Sequence, residues 1–366
     1  MGFKCGIVGL PNVGKSTIFN AITRSQALAA NYPFATIDPN VGIVPVPDKR
    51  LQTLTEIVPT KKIISTSLEI VDIAGIVKGA SQGEGLGNQF LTHIAEVDAI
   101  IEVVRCFEDK DIVHVSGSVD PARDMEIVKT ELILKDLDAL AKHKARFEKS
   151  ARAGVDKKAQ AFVALMERFE KAFNAGHPAH TVERSAEEVE AMKEVRFLTD
   201  KPFLYVANIA ESEISKPDSA HTAVVRKLAE AEGFQMIKLS GRIEEEISRL
   251  EPTDRAEYLA AMGMEESGLD QLARAGHALL KLQTFFTVGE TENRAWTVEA
   301  GSTAPRAAGK IHSDFEKGFI RAEVISYGDF LQYRGEQGAR EKGRLRLEGK
   351  EYIVQDGDIM HFRFSV

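Results

Sequence analysis

Eight residues near the beginning of the chain have the types and the spacing of a phosphate-binding loop. The segment Gly9–Ser16 reads Gly-Leu-Pro-Asn-Val-Gly-Lys-Ser and follows the short apolar run Phe3–Val8. A strand, a glycine-rich turn and then a helix are the context that this motif requires. Its glycines let successive backbone N–H groups surround a phosphate, while Lys15 contacts the β- and γ-phosphates. The sequence therefore predicts a nucleoside-triphosphate site whose phosphate-contacting residues are Asn12, Val13, Gly14, Lys15, Ser16 and Thr17.

A second segment has the residues that a bound magnesium ion would need. The apolar run that begins at Leu68 ends at Asp72, three residues before Gly75. An aspartate there can hold Mg²⁺ through a water molecule, and the Gly75 N–H can reach the γ-phosphate. Thr36 lies where a threonine would close over Mg²⁺ and the γ-phosphate, although a lone turn threonine is a weak signal. We therefore predict Mg²⁺ as the cofactor, with Ser16 as a direct ligand, Thr36 in the closed state and Asp72 acting through water.

The residues after a later strand-like run are expected to read the base. The run Phe203–Ala207 leads into Asn208-Ile-Ala-Glu211, at the place where guanine-binding proteins have Asn-Lys-x-Asp. Here Ile209 replaces the lysine, and Glu211 is one methylene longer than the aspartate that takes two donors from guanine. The Asn208 amide can match the N7 and N6 atoms of adenine, and Ser240 lies where the last base-contacting loop belongs. These residues favour adenine, although Asn208 as a simple strand cap remains the alternative.

Three of these segments together resemble a known group of proteins. Gly9–Ser16, Asn31–Asn40 and the glycine-rich Asp72–Phe90 are similar to the Obg-related translation-factor GTPases and, among them, to the Obg-like ATPase (YchF) family. Gly309–Val324 resembles the TGS domain of that family. The resemblance covers the whole chain and implies ATP hydrolysis, ribosome association and a backbone contact of Ile209 with the base edge.

The group that positions the attacking water is not fixed by the sequence. Many switch GTPases have a glutamine directly after the glycine of this second motif, whereas this chain has Ile76. His114, in the loop after the third strand of the G-domain, is a titratable candidate, although a lone loop histidine is more often an ordinary surface residue. Lys15 and His114 are therefore the candidate catalytic residues, and a partner that supplies the missing group is the alternative.

The elements that must position these residues follow an α/β pattern. Short apolar runs alternate with helical segments, which predicts a P-loop G-domain with a mostly parallel sheet; the predicted strands are Phe3–Val8, Ser67–Ile73, Ala99–Val104, Phe203–Asn208 and Phe234–Ser240. Between residues 124 and 198 the strand pattern stops and apolar residues recur at helical spacing. We therefore predict a G-domain in two parts, 1–123 and 199–281, with a helical coiled-coil hairpin inserted at 124–198.

The last part of the chain is expected to form a separate α+β module. Short strand-like runs surround one helical segment near Ala307–Phe315; the predicted strands are Thr284–Val288, Ala295–Val298, Ile320–Ile325, Glu351–Val354 and Ile359–Phe364. The resemblance implies that this module, residues 282–366, is a β-grasp-like TGS domain. The sequence there offers no acid/base pair, nucleophile or metal cluster, so we predict a binding domain.

A basic segment contrasts with the rest of the chain. Residues 142–158 contain seven Lys or Arg residues against two acidic ones, whereas the whole chain carries a net charge of −8. At the tip of a helical hairpin this segment is a candidate contact for ribosomal RNA phosphates, although a solvated helix face is the simpler alternative. The helical insertion at 124–198, here called the arm, is therefore one predicted ribosome-binding surface, and the resemblance implies the TGS domain as the other.

The composition limits the class of protein. The chain of 366 residues is 43% hydrophobic and 28% charged, which is ordinary for folded domains and long enough for two or three of them. Cys5 and Cys106 are too few for a disulfide framework, and no apolar run is long enough to span a bilayer. We therefore expect a cytoplasmic protein that does not bind membranes, and a monomer is the default expectation.

Three functions remain open at this point. The first is a Mg²⁺-dependent ATPase that acts as a nucleotide-switched regulator on ribosomes. The second is an Obg-type GTPase with relaxed base specificity. The third is a nucleotide-regulated interaction protein whose turnover is incidental.

Overall fold

The computed structural model describes residues 3–28, 40–73, 94–152, 157–193 and 195–365. These residues form two compact units. The first unit holds the described residues of 3–28, 40–42 and 69–269, and the second unit holds 43–68 and 270–365. Thr36 and Gly75, two of the predicted site residues, lie outside the described residues.

A mostly parallel sheet organises the first unit. Its strands are β1 (Lys4–Val8), β2 (Val41–Pro45), β4 (Ser67–Asp72), β5 (Ala99–Arg105), β6 (Phe203–Asn208) and β7 (Gln235–Leu239). The spatial order is β2-β4-β1-β5-β6-β7, and the five strands from β4 to β7 pair in parallel. Every residue of β5 and β6 is buried, as expected for central strands of a parallel sheet that is covered on both faces. The carboxyl ends of β1, β5 and β6 therefore lie along the same edge of the sheet.

Helices flank this sheet and form the insertion. In the first unit they are α1 (Lys15–Leu28), α3 (Pro121–Arg152), α4 (Lys157–Asn174), α5 (Ala186–Ala191), α6 (Ala220–Ala231), α7 (Gly241–Ile247) and α8 (Pro252–Ala261), while α9 (Gly268–Leu279) begins in this unit. Short 3₁₀ turns at Ala179–Thr181, Leu198–Asp200 and Glu211–Glu213 connect some of these elements.

The helical hairpin of the insertion has an apolar core of its own. Helices α3 and α4 pack against each other around a cluster that includes Leu140, Phe162 and Phe169. Lys144, which interrupts the apolar spacing, forms an ion pair of 2.7 Å with Glu170. The predicted helical arm is thus present, and a basic side chain within its seam is neutralised by an acidic one.

A second sheet organises the second unit. Its strands are β3 (Ile63–Ile64), β8 (Leu282–Thr287), β9 (Asn293–Glu299), β10 (Phe319–Ile325), β11 (Arg346–Glu348) and β12 (Ile359–Phe364), in the order β11-β10-β12-β8-β9-β3. The helices of this unit are α2 (Lys49–Ile57), α10 (Ala304–Ile311), α11 (Ser313–Lys317), α12 (Tyr327–Gln332) and α13 (Glu336–Glu341). Because successive strand residues face opposite sides, Phe285 and Phe286 belong to two different apolar cores.

The structure corrects part of the predicted C-terminal module. The strand predicted at residues 351–354 is wrong, because among them only Ile353 makes an isolated bridge, with Thr303. The single helix predicted near Ala307–Phe315 is two helices that meet at His312. The boundaries of the two compact units also differ from the predicted domain boundaries. Helix α2 and strand β3, which lie within the predicted first part of the G-domain, belong to the second unit, where β3 pairs with β9.

Candidate nucleotide-binding site

The phosphate-binding loop connects β1 to α1, as its sequence predicts. Gly14 has a φ of +93°, a conformation that L side chains rarely adopt. A Cβ atom at Gly14 would also collide with the Asn208 side-chain amide, which lies directly against the loop. Helix α1 begins with Lys15, and the Ile18 N–H donates to the Gly14 carbonyl over 3.1 Å. The N–H groups of the first helical turn are therefore free of helix partners at the end where a phosphate would bind.

One cavity of about 860 Å³ brings most of the predicted site residues together. The predicted residues that line it come from the phosphate loop and from the loops after β6 and β7: Asn12, Gly14, Lys15, Ser16, Thr17, Asn208, Ile209, Glu211 and Ser240. Val13 is buried behind this lining, and its carbonyl accepts a hydrogen bond from Asn208. A volume in this range is typical of small-molecule sites, and the phosphate loop and the candidate base-reading residues share it.

The Asn208 side chain joins two loops of the cavity. Its amide nitrogen donates to the Val13 carbonyl over 2.8 Å, and its amide oxygen accepts from the Gly241 N–H over 2.9 Å. Asn208 is only 4% exposed. Each of these bonds uses only one of the two amide protons or one of the two lone pairs of the oxygen. Asn208 therefore positions the two loops, and its contact with adenine stays a prediction.

Lys15 and Asp72 face each other at the end of the phosphate loop. The Lys15 ammonium group forms an ion pair with the Asp72 carboxylate, which remains 25% exposed. The Ser16 hydroxyl lies on the same turn of α1 and lines the cavity. Hydroxyl and carboxylate oxygens suit Mg²⁺, which is usually held by one or two protein oxygens together with water and phosphate. The described residues contain no cluster of three or more His, Cys, Asp or Glu that would suit a metal held by protein alone. Ser16 and Asp72 supply the kind of oxygen donor that the predicted Mg²⁺ would use.

One wall of the cavity was not anticipated from the sequence. Residues 107–109 and Ile112 line it, and the buried Arg105 holds this loop in place. The Arg105 guanidinium donates to the carbonyls of Phe107 and Ile112 over 3.1 and 3.0 Å. The only sequence signal was Arg105 itself, directly after the predicted strand Ala99–Val104.

His114 lies in this same loop but is not a surface residue. It is 6% exposed, and its Nε2 atom lies 2.8 Å from an Asp124 carboxylate oxygen on the first turn of α3. The preceding residue is linked to the phosphate loop, because the Asn12 side-chain amide donates to the Val113 carbonyl over 3.0 Å. His114 is absent from the cavity lining, so its catalytic role remains a prediction.

Part of the predicted basic surface on the arm lies within the described residues. Lys142 and Lys157 are exposed on α3 and α4, whereas the Lys144 charge is neutralised by Glu170.

No helix of the described ranges is long and apolar enough to cross a membrane.

A mostly parallel sheet whose first strand leads through a phosphate-binding loop into a helix defines the class of G-domain nucleotide-binding proteins. A family model described as a 50S ribosome-binding GTPase matches residues 4–136, and the C-terminal YchF GTPase model, described as a protein of unknown function, matches residues 282–365. The structure of the Schizosaccharomyces pombe YchF GTPase superimposes with a TM-score of 0.90 at 38% identity, over 99% of this chain and 98% of that one.

Full-length relatives give the same result. The chain is 53% identical to the ribosome-binding ATPase YchF of Haemophilus ducreyi over 366 residues, and 53% identical to that of Bacillus subtilis over 367 residues, with 100% of each chain covered. The chain therefore belongs to the YchF family. The predicted family and the predicted fold class are both confirmed.

Proposed function

We propose that this chain is a Mg²⁺-dependent ATPase that hydrolyses ATP to ADP and phosphate and associates with ribosomes as a nucleotide-switched regulator. Relatives that match it from end to end carry the name ribosome-binding ATPase. The phosphate loop supplies the triphosphate site, and the cytoplasm is the expected place of action. We retain the arm and the C-terminal module as the ribosome-contacting surfaces.

The proposed base preference rests on the residue types in the cavity wall that follows β6. Ile209 and Glu211 line the same cavity as Lys15, which supports a position for the base beside them when the phosphates occupy the loop. Ile209 cannot supply the lysine stem of a guanine reader, and the Glu211 carboxylate extends one methylene further than an aspartate. A site built to hydrogen-bond one base rejects another strongly, so the loss of these contacts disfavours GTP. We assign the edge contact with adenine to the Ile209 backbone and a positioning role to Asn208.

The residues around the phosphates act by holding charge in place. Lys15 would exchange its contact with Asp72 for the β- and γ-phosphates, and the released carboxylate would then accept from ion-bound water. Bound Mg²⁺ would neutralise charge on the phosphate oxygens. Ser16 is the proposed direct protein ligand, with Thr36 as a further ligand in the closed state. Gly75 is proposed to donate its N–H to the γ-phosphate.

Competition binding tests this proposal. ATP and GTP would each displace a fluorescent ATP analogue from the purified chain in excess Mg²⁺. We expect ATP to displace it at a concentration at least tenfold lower than GTP, which corresponds to about 1.4 kcal/mol. Equal midpoints would rule out the base preference. They would favour the second candidate, a GTPase with relaxed specificity, and the similar Schizosaccharomyces pombe protein is itself named a GTPase.

A further inference from the structure

A positively charged side chain that the sequence did not single out lies at the mouth of the cavity. Arg242, in the first turn of α7, lines the cavity between the two loops that form its walls. One of its guanidinium nitrogens donates to the Asp109 carboxylate over 2.8 Å, and the other lies 3.8 Å from a Glu211 carboxylate oxygen. The guanidinium therefore connects the wall after β5 to the wall after β6.

The backbone that carries Arg242 is held by hydrogen bonds and by the burial of its neighbours. The preceding Gly241 donates its N–H to the buried Asn208 side chain. In α7 the next residue, Ile243, is 1% exposed, and the buried Glu244 carboxylate accepts from the Gly268 N–H over 2.7 Å. The position of the Arg242 backbone is thus set by interactions inside the protein.

The partner on the opposite wall is equally well fixed. The Asp109 carboxylate accepts from the Asp111 N–H over 2.9 Å, which is a local turn. The Asp109 side chain is 17% exposed, while that of Arg242 is 63% exposed. Asp109 therefore anchors one side of the guanidinium and leaves the other side directed to Glu211.

This arrangement bears on Glu211, the acidic residue that takes the place of the guanine-reading aspartate in the sequence. Its side chain is 44% exposed. An opposite charge 3.8 Å away attracts the Glu211 carboxylate toward Arg242. Guanine offers two donors that such a carboxylate would accept, whereas adenine lacks this pair. We propose that Arg242 is a positioning residue for base specificity, which holds Glu211 away from the base and so disfavours guanine nucleotides.

The inference rests on the proposed ATP preference and names a residue that contributes to it. Exposed ion pairs contribute little, so we expect Arg242 to account for a part of the preference only. Arg249 supplies a matched control, because it is an exposed arginine just after the same helix and pairs with Glu245 over 2.7 Å. It is absent from the lining of the cavity.

The test measures the ratio of the ATP and GTP dissociation constants in four variants: Arg242→Ala, Arg249→Ala, Glu211→Gln and the double variant Arg242→Ala with Glu211→Gln. We expect Arg242→Ala to shift the ratio about threefold toward GTP, as an exposed ion pair allows. Arg249→Ala should leave it unchanged. In the Glu211→Gln background, removal of Arg242 should produce no further shift, because the effect acts through that carboxylate.

Three outcomes would overturn the inference. These are an unchanged ratio in Arg242→Ala, a weaker GTP affinity that would show a direct contact of Arg242 with guanine, and a shift of the same size in the Glu211→Gln background. The proposed function is tested separately by the native chain. If that chain bound ATP and GTP equally while Arg242→Ala still moved the ratio toward GTP, the ATP preference would fail and the role of Arg242 would stand.

Discussion

At the scale of single residues, Asn208 shows how one buried amide can organise a nucleotide site. It links the phosphate loop at Val13 to the amino end of α7 at Gly241. Asn208 can be recognised in the sequence as a candidate site residue because it ends an apolar strand. Its hydrogen-bond partners, however, lie 195 and 33 residues away along the chain. No local pattern could predict them. The sequence suggests a direct contact with adenine, whereas in the structure the amide is engaged by hydrogen bonds within the protein.

The first prediction concerns this amide. Asn208→Ala leaves the Val13 carbonyl and the Gly241 N–H without their partner, and a buried unsatisfied group costs about 1–3 kcal/mol. We expect a lower melting temperature and an ATP dissociation constant raised roughly tenfold. Asn208→Asp is the informative control, since it keeps the acceptor for Gly241 but faces the Val13 carbonyl with a carboxylate. Unchanged ATP binding in both variants would contradict the positioning role.

A second prediction concerns the proposed metal ligand Ser16. Ser16→Ala removes a hydroxyl oxygen that lines the cavity but leaves the backbone N–H groups of the phosphate loop intact. We expect ATP binding to weaken severalfold in the presence of Mg²⁺ and to change little in excess chelator, because only the ion uses the hydroxyl. Calorimetric titration under the two conditions measures both values. An equal loss in each would show that Ser16 does not ligate the metal.

At the scale of helices and strands, the sequence predicts those elements that have a regular pattern of apolar residues. The five strands that pair in parallel in the first sheet are located to within about two residues, since each is an apolar run bounded by polar or glycine residues. The edge strand Arg346–Glu348 is missed because it is three residues long and partly exposed. Helix α2 is missed because its buried Leu51 and Leu54 pack into a core whose other buried members lie more than two hundred residues further along the chain.

The contact between helix α3 and the 3₁₀ turn Leu198–Asp200 leads to a third prediction, on pH. The buried Asp136 of α3 accepts from the N–H groups of Leu198 and Thr199 over 2.7 and 2.9 Å. Burial raises the pKa of this carboxyl from 3.8 to about 6. Between about pH 4 and pH 6 the folded state therefore holds a proton that the unfolded state has lost. The contribution of Asp136 to the free energy of unfolding decreases as the pH rises through this range.

The measurement compares melting temperatures of the native chain and Asp136→Asn at pH 4.5 and pH 7. The variant has no titrating group at this position but loses an acceptor at every pH. The shift of the Asp136 pKa corresponds to about 3 kcal/mol, so the native chain should lose stability relative to the variant as the pH rises. A difference that is constant with pH, or that moves in the opposite direction, would show that the carboxyl is ionised throughout.

At the scale of the whole molecule, the residues proposed to contact the ribosome and those proposed to bind the nucleotide lie on different elements. Lys142 and Lys157 are exposed on the arm, whereas Lys15 is in the phosphate loop. Our fourth prediction is that Lys142→Glu with Lys157→Glu weakens co-sedimentation with ribosomes roughly tenfold at moderate salt, since phosphate contacts release counterions. The matched control reverses Lys216 and Lys227, which are exposed and lie outside the insertion. Equal effects of the two pairs would identify the arm as a solvated surface.

The measurement that tests the account most directly is steady-state ATP hydrolysis with and without ribosomes, for the native chain and for Lys15→Ala. We expect ribosomes to stimulate turnover by the native chain several-fold, because a partner is expected to help position the attacking water where the chain has Ile76. Lys15→Ala should abolish turnover under both conditions while still sedimenting with ribosomes. Turnover that ribosomes leave unchanged, or that persists in Lys15→Ala, would contradict a ribosome-regulated ATPase whose chemistry takes place at this phosphate loop.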